Sequence, residues 1–239
     1  MQFIKQLLPL FIIALLFTSC NDAAQENITK KIAENAVDNS QVAENPKLND
    51  TQKKNILFFG DSLTAGYGLE DELAMAYPQI IQEKIDSLAL PYRVINAGLS
   101  GETTATGANR IGWVLKQKVD IFVLELGGND ALRGVKPDET HKNLQVILDK
   151  VKEKYPDAKV IVAGMEAPPS MGSIYTTEFR AVFKDIADNN EVVLIPFLLE
   201  KVGGIAELNQ PDGIHPTEKG HRLVAETVWQ YVAPILKGA

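Results

Sequence analysis

Short runs of mostly apolar residues alternate with longer amphipathic segments from residue 55 onward. The apolar runs lie at Ile56–Phe59, Arg93–Asn96, Ile121–Leu126, Val160–Met165 and Val192–Ile195. Apolar residues recur with helical spacing at roughly Tyr77–Leu88, Thr103–Lys116, Asp138–Tyr155, Thr176–Asp188 and Thr217–Ile235. Because continuous apolar strands are typical of a parallel sheet covered on both faces, the pattern predicts an α/β domain over residues 55–239. We expect a three-layer α/β/α flavodoxin-like sandwich with a five-stranded parallel sheet in the order 2-1-3-4-5.

The first 20 residues follow a different pattern, in which Lys5 precedes the almost wholly apolar run Leu7–Phe17. This layout is typical of a secretory signal, and the run is too short for an ordinary membrane span. A short N-terminal membrane anchor is the alternative. The segment Phe17–Cys20 resembles the lipobox of bacterial lipoproteins, in which the cysteine is lipidated and becomes the mature N-terminus. We therefore expect a signal peptide over residues 1–20 and lipid attachment at Cys20. The protein is then exported and anchored to the bacterial cell envelope, facing the periplasm or the cell surface.

Residues 21–54 are rich in Asn, Asp, Glu, Gln, Ala and Lys and contain no aromatic residue and no glycine. Such a composition buries too little apolar surface to order the chain. We predict a disordered polar tether between the lipid anchor and the domain.

Composition and charge narrow the classes of function. The chain has 239 residues, 45% of them hydrophobic, and a net charge of -7, which argues against nucleic acid as the main partner. A single cysteine excludes an intrachain disulfide and a multi-cysteine metal site. His141, His215 and His221 are too scattered in the sequence to indicate a zinc site.

The first predicted strand ends abruptly at Gly60-Asp61-Ser62. A serine just past a buried strand lies at the edge of the sheet where open α/β folds bind their ligands. If a helix follows, its N-terminal N–H groups point toward whatever the serine attacks. Ser62 is therefore a candidate nucleophile, although an isolated Gly-Asp-Ser run is also an ordinary helix cap.

Two further loops carry candidate residues at the same predicted edge. The loop Asn96–Thr104 follows the second strand and contains glycines that permit tight turns and close backbone approach. The loop Gly127–Asp130 follows the third strand, where the Asn129 carboxamide can donate an N–H group into the crevice. Taken alone, each loop is also compatible with ordinary cap or turn chemistry.

A histidine base is predicted just before the last helix, because Asp212 and His215 are three residues apart in a glycine-containing turn. The carboxylate can hold one imidazole N–H and leave the other ring nitrogen free as a base. His221 is the rival base, but it has no acidic partner in a comparable turn. His141 belongs to a polar helix and is expected on the surface.

These separated segments resemble the successive blocks of the SGNH, or GDSL, hydrolase family. The blocks are Gly60-Asp61-Ser62-Leu63, Gly101, Gly127-Gly128-Asn129-Asp130 and Asp212-Gly213-Ile214-His215. The resemblance covers the chain from about Asn55 to its end. Within the family it points to the bacterial thioesterase I/protease I/lysophospholipase (arylesterase) group.

The resemblance implies a carboxylic ester hydrolase with Ser62, His215 and Asp212 as its catalytic triad. It also implies an oxyanion hole built from the Ser62 and Gly101 backbone N–H groups and the Asn129 side chain. No metal and no organic cofactor are implied. Asp130 is expected to be structural.

Substrate specificity is the least determined property. Met171, Ile174 and Tyr175, in a predicted long loop over Glu166–Tyr175, and Val135 are candidates for an apolar acyl groove. Ordinary loop packing is the equal alternative for these residues. We expect an esterase, thioesterase or lysophospholipase whose partner is a small-molecule acyl ester, thioester or lysophospholipid.

Two other functions stay open. Carbohydrate O-deacetylases belong to the same family, and a non-catalytic, lipid-anchored binding module is a different class of protein. A full set of nucleophile, base and oxyanion groups argues against the binding module, because binding alone does not need that set.

Overall fold

Five parallel strands form the central sheet. The computed structural model describes residues 52–238, which belong to a compact unit from Leu48 to Ala239. The predicted signal, Cys20 and nearly all of the predicted tether lie outside the described residues. The strands are β1 (Lys54–Gly60), β2 (Tyr92–Gly98), β3 (Ile121–Glu125), β4 (Lys159–Ala163) and β5 (Val193–Ile195). They follow the order β2-β1-β3-β4-β5, which confirms the predicted sheet.

The helices cover both faces of this sheet. They are α1 (Ser62–Ala65), α2 (Glu72–Met75), α3 (Tyr77–Ser87), α4 (Thr104–Val114), α5 (Gly128–Leu132), α6 (Pro137–Lys154), α7 (Ser173–Asn190) and α8 (Glu218–Lys237), with 3₁₀ turns at Pro169–Met171 and Ala206–Leu208. Helices α4, α6 and α7 pack side by side on one face, and α3 and α8 pack together on the other. The domain is therefore the predicted three-layer sandwich.

Strand β1 runs through the centre of the core. The side chains of Ile56–Phe59 are 0% exposed because β1 lies between two strands and beneath helices on both faces. Full burial of one such side chain stabilises the fold by roughly 2 kcal/mol. The register pairs Gly60 with Gly98 on one side and with Glu125 on the other. The loops that follow β1, β2 and β3 therefore start level with one another at the carboxyl edge of the sheet.

Helices α1 and α5 overlap the predicted loops at Gly60–Leu63 and Gly127–Asp130, and α2 lies in a segment for which the sequence pattern predicts no element. Helices of four or five residues are too short to show an apolar period, and α1 and α2 depend on their caps. The Asp61 and Asp71 side chains each accept a hydrogen bond from a first-turn N–H group. Helix α7 also begins at Ser173, earlier than predicted. No helix in the described part of the chain combines the length and hydropathy that a bilayer span needs.

Candidate active site

Ser62 is the first residue of α1 and follows the tight turn that ends β1. Asp61 caps this helix, since its Oδ1 atom accepts a hydrogen bond from the Leu63 N–H at 3.0 Å. A Cβ at Gly60 would lie 2.2 Å from Thr64 Oγ1, so only glycine fits the turn. The turn holds the serine at the carboxyl edge of the sheet.

Ser62, His215 and Asp212 form a continuous hydrogen-bonded chain. His215 Nε2 lies 2.9 Å from Ser62 Oγ, and His215 Nδ1 lies 2.6 Å from Asp212 Oδ2. Asp212 Oδ1 also accepts the backbone N–H groups of Ile214 and His215, at 2.9 and 3.0 Å. The same carboxylate thus closes the turn and holds the ring. The structure brings together the three residues that the sequence predicts as a triad.

The electrostatics of Asp212 suit it to this position. Partial burial raises its pKa, but hydrogen bonds from the His215 ring and from the Ile214 and His215 backbone outweigh this effect and lower the pKa to about 2. Asp212 is therefore ionised at neutral pH and stabilises a proton on the ring. With Nδ1–H bonded to this carboxylate, Nε2 faces the serine hydroxyl as an acceptor for its proton.

Asn129 lies in the first turn of α5, beside the serine turn. Its Nδ2 atom donates to Asp61 Oδ2 at 3.1 Å, and a primary amide has a second N–H group for another acceptor. The neighbouring Asp130 is buried and accepts the Thr104 N–H at 2.9 Å. Asp130 thus connects α5 to α4, away from the reacting atoms.

Gly101 lies in the loop between β2 and α4. Its φ of 78° falls in the left-handed region that favours glycine. Its carbonyl oxygen accepts a hydrogen bond from Arg133 Nη2 at 3.0 Å, which places the loop next to the end of α5. Gly101 does not itself line the cavity that contains Ser62 and Asn129.

A cavity of about 450 Å³ opens beside Ser62 and His215. Its wall is mainly apolar and is formed by Leu63, Leu132, Met165, Ala167, Pro168, Pro169, Phe197, Leu199 and Ile214. This size and lining are typical of pockets for small organic ligands. Within residues 52–238, no cluster of three or more metal-ligating side chains occurs.

None of the four residues predicted for an acyl groove, Val135, Met171, Ile174 and Tyr175, lines this cavity. The Tyr175 hydroxyl donates to the Val135 carbonyl at 2.7 Å, and the Ile174 side chain is 75% exposed. Met171 ends a 3₁₀ turn. Ile174 and Tyr175 lie in the first turn of α7, which takes up the last three residues of the predicted long loop.

Sequence reasoning missed several residues near the site. The Tyr67 ring lies 4.8 Å from the His215 ring, and Arg133 contacts the Gly101 loop. Glu125 is fully buried at the end of β3, beneath the serine turn. Its signal was present in the sequence, since one acidic residue interrupts the apolar run Ile121–Leu126 and a buried carboxyl group needs partners.

The domain has a parallel sheet with a serine after its central strand, a histidine–aspartate pair in contact with that serine, and an apolar cavity beside it. Together these features define an α/β serine hydrolase of acyl compounds. Comparison with known proteins identifies the family within this class. The GDSL-like Lipase/Acylhydrolase family model matches residues 58–223, and the chain belongs to this family.

Relatives and solved structures agree with this assignment. Esterase TesA of Pseudomonas aeruginosa is 36% identical over 182 residues, covering 76% of this chain and 89% of the relative. Thioesterase 1/protease 1/lysophospholipase L1 of Escherichia coli K12 is 34% identical over 182 residues, covering 76% and 84%. A crystal structure of TesA matches with a TM-score of 0.72 at 36% identity, covering 76% of this chain and 99% of that one. The predicted fold and the predicted enzyme class, a carboxylic ester hydrolase, are confirmed.

Proposed function

We propose that the protein hydrolyses esters or thioesters of fatty acyl chains, with Ser62 as nucleophile, His215 as general base and Asp212 as the group that orients His215. The contacts of His215 carry this proposal, because its two ring nitrogens lie 2.9 Å from Ser62 Oγ and 2.6 Å from Asp212 Oδ2. A serine hydroxyl is a weak nucleophile without an adjacent base. This chain of contacts supplies the base and fixes its orientation.

In the first half of the reaction, His215 Nε2 takes the Ser62 proton as Oγ attacks the acyl carbonyl carbon. Asp212 stabilises the imidazolium that forms. We assign the Ser62 and Gly101 N–H groups and the Asn129 amide to stabilise the oxyanion. His215 then gives its proton to the departing alcohol or thiol, and the acyl group stays on Ser62. Water, deprotonated by His215, attacks this acyl-enzyme, releases the carboxylic acid and restores the serine.

The apolar lining of the cavity is evidence that the bound group is an acyl chain. Leu132, Met165 and Phe197 line the same cavity as Ser62, and each methylene group of a ligand that is buried there contributes roughly 0.8 kcal/mol. Two relatives point to the same class of substrate, since one is named an esterase and the other a thioesterase and lysophospholipase.

The direct test replaces the nucleophile. Ser62→Ala is expected to lower kcat for p-nitrophenyl acyl esters by at least about 10³-fold, since loss of the nucleophile removes the covalent route. A fluorophosphonate should label the wild-type protein at Ser62. Ser170→Ala, at an exposed serine in a 3₁₀ turn, is the matched control and should keep both turnover and labelling. Near wild-type turnover by a pure Ser62→Ala preparation would refute the proposal.

We also propose, from the sequence alone, that Cys20 is lipidated and anchors the enzyme to the cell envelope. The support is the apolar run before Cys20 and its resemblance to a lipobox. Mass spectrometry of the mature protein should find an N-terminal, lipid-modified Cys20, and Cys20→Ser should abolish that modification. An unmodified cysteine, or cleavage at another position, contradicts this assignment.

A further inference from the structure

A buried pair of carboxyl groups lies directly beneath the turn that carries Ser62. Glu125 and Asp61 are 0% and 2% exposed. Glu125 Oε2 accepts hydrogen bonds from the Thr64 hydroxyl at 2.8 Å and from the Asp61 N–H at 3.2 Å. The Tyr77 hydroxyl extends this chain at 2.8 Å from Thr64 Oγ1. The hydrolytic steps assigned above use none of these four side chains.

The surroundings of Glu125 favour its neutral form. Its Oε1 atom is buried and has no hydrogen-bond partner among the described residues. An ionised carboxylate with a bare oxygen is unfavourable in a site closed to water, and more so beside a second carboxylate. Burial and the negative charge of Asp61 raise the pKa of Glu125 well above its ordinary value. A proton on Oε1 removes the charge, while Oε2 keeps both of its hydrogen bonds.

Asp61 then carries the negative charge of the pair. Burial raises its pKa to about 6, while hydrogen bonds from the Leu63 N–H and the Asn129 amide act in the opposite direction. Above that pH, Asp61 Oδ2 is a charged acceptor 3.1 Å from Asn129 Nδ2. Because a carboxylate only accepts, this contact determines which end of the Asn129 amide faces Asp61 and where its second N–H group points.

We propose that Glu125 is a positioning residue for ester hydrolysis: as a neutral acid it holds the Asp61 backbone and the Thr64 hydroxyl, and through Asp61 it orients the Asn129 amide. This inference rests on the proposed function, in which Asn129 stabilises the oxyanion. The oxyanion exists only in the transition state and the tetrahedral intermediate. Loss of Glu125 should therefore lower kcat and leave KM almost unchanged.

The experiment compares two substitutions of similar size. Glu125→Met removes both carboxyl oxygens and should lower kcat about 10- to 100-fold. This loss is no larger than the one typical for complete removal of one oxyanion-hole donor. Glu125→Gln keeps a carbonyl oxygen to accept from Thr64 and Asp61, and it should retain kcat within about threefold. Val123→Ala, on the same strand, is the control for general loss of stability and should keep kcat when assayed well below its melting temperature. A loss with Glu125→Gln as large as that with Glu125→Met would overturn the inference.

A double-mutant cycle with Asn129→Ala separates positioning from a merely structural role. If Glu125 acts through Asn129, the double variant Glu125→Met/Asn129→Ala should have the same kcat as Asn129→Ala alone. If the kcat losses of the two single variants instead multiply in the double variant, the inference is overturned, while the proposed function stays intact. If Asn129→Ala itself keeps wild-type kcat, the oxyanion assignment is wrong and the inference is wrong with it. Should Glu125→Met fail to fold, Thr64→Val removes the donor to Glu125, and its loss of kcat should likewise vanish in the Asn129→Ala background.

Discussion

His215 and His221 are close in sequence but have opposite surroundings. His215 lies between the nucleophile and an ionised carboxylate, whereas His221 is 1% exposed on α8. His221 Nδ1 accepts the Tyr77 N–H at 3.3 Å, and the two rings are nearly parallel, with centroids 6.3 Å apart. Burial, together with the positive charge available to His215, lowers the pKa of His221 to about 4. A neutral ring that links α8 to α3 has a packing role.

Protonation of His221 should therefore destabilise the fold at low pH. Its pKa is 6.5 ordinarily and about 4 in the folded protein. Between these values the unfolded chain binds more protons, so the free energy of unfolding falls as the pH falls. From pH 7 to pH 4.5 this single group should remove roughly 2–3 kcal/mol. Asp61 acts in the opposite direction, since its raised pKa favours the folded state at low pH, and the test must therefore compare two proteins.

The comparison is with His221→Asn, which keeps an acceptor for the Tyr77 N–H but cannot titrate. Urea denaturation at the two pH values should give a smaller pH-dependent loss for the variant than for the wild type, by the same 2–3 kcal/mol. The same pH dependence in both proteins would show that His221 is not responsible.

Acyl-chain preference is a second property at the level of single residues. Extending an ester from acetyl to octanoyl should raise kcat/KM until the cavity is full. The increase should be up to about fourfold per methylene group, because each buried CH₂ group contributes roughly 0.8 kcal/mol. Phe197→Asp should flatten this dependence with little effect on acetyl esters, because Phe197 lines the cavity. Ile174→Asp is the matched control, since Ile174 lies outside the wall, and its chain-length profile should equal that of the wild type. If kcat/KM of the wild type is highest for acetyl esters, and acetylated sugars are turned over fastest, the carbohydrate O-deacetylase alternative is favoured.

At the level of elements, the connection between β2 and α4 is held by an ion pair between buried Glu102 and partly buried Arg110. Glu102 is 3% exposed, and Arg110 Nε donates to its Oε1 at 2.6 Å while Nη2 contacts Oε2. Arg110 Nη2 also donates to the Ala97 carbonyl at 2.9 Å, and the guanidinium lies 4.3 Å from the centroid of the Phe59 ring. One side chain thus joins the end of β2, the loop and α4. The position of Gly101, next to Glu102, depends on it.

Arg110→Met should destabilise the domain by about 3–5 kcal/mol, because it leaves the Glu102 carboxylate buried without a partner. The double variant Arg110→Met/Glu102→Leu should recover part of that loss, since it removes the unpaired charge. Arg222→Met breaks the exposed Arg222–Glu218 contact of 2.7 Å and should change the stability far less, because solvent screens this pair. Chemical denaturation of the three variants measures these differences. Equal effects of Arg110→Met and Arg222→Met would mean that the buried pair contributes no more than a surface one.

At the scale of the whole molecule, the sheet order could be predicted because each strand is a distinct apolar run and the polar motifs directly follow those runs. The cavity wall and the buried Asp61–Glu125 pair could not be predicted, because they depend on contacts between segments that are distant in sequence. Thr64 and Glu125, for example, are 61 positions apart. The surroundings of Met171–Tyr175 depend on such contacts as well, and none of these residues lines the cavity. Helix α7 begins at Ser173, so the predicted long loop after β4 ends three residues earlier than expected.

A chain that begins at Leu48 should fold and hydrolyse soluble esters with kcat/KM within about twofold of the full-length protein. The compact unit starts at this residue, and such units typically fold on their own. Thermal melting and kcat/KM for a short-chain p-nitrophenyl ester provide the measurement. A shorter chain that folds but loses activity would mean that the preceding residues take part in the reaction.

Both ends of the described chain lie at the edge of the sheet opposite the cavity. Lys54 starts β1, and Ile235, near the end of α8, lines the same surface groove as Lys54. The seven residues of β1 span roughly 23 Å at 3.3 Å per residue, which separates that groove from the serine turn. Coupled to a bead through a side chain beside Lys54 or Ile235, the domain should keep its support on the side away from Ser62, so an immobilised preparation should process bulky substrates without steric hindrance from that support.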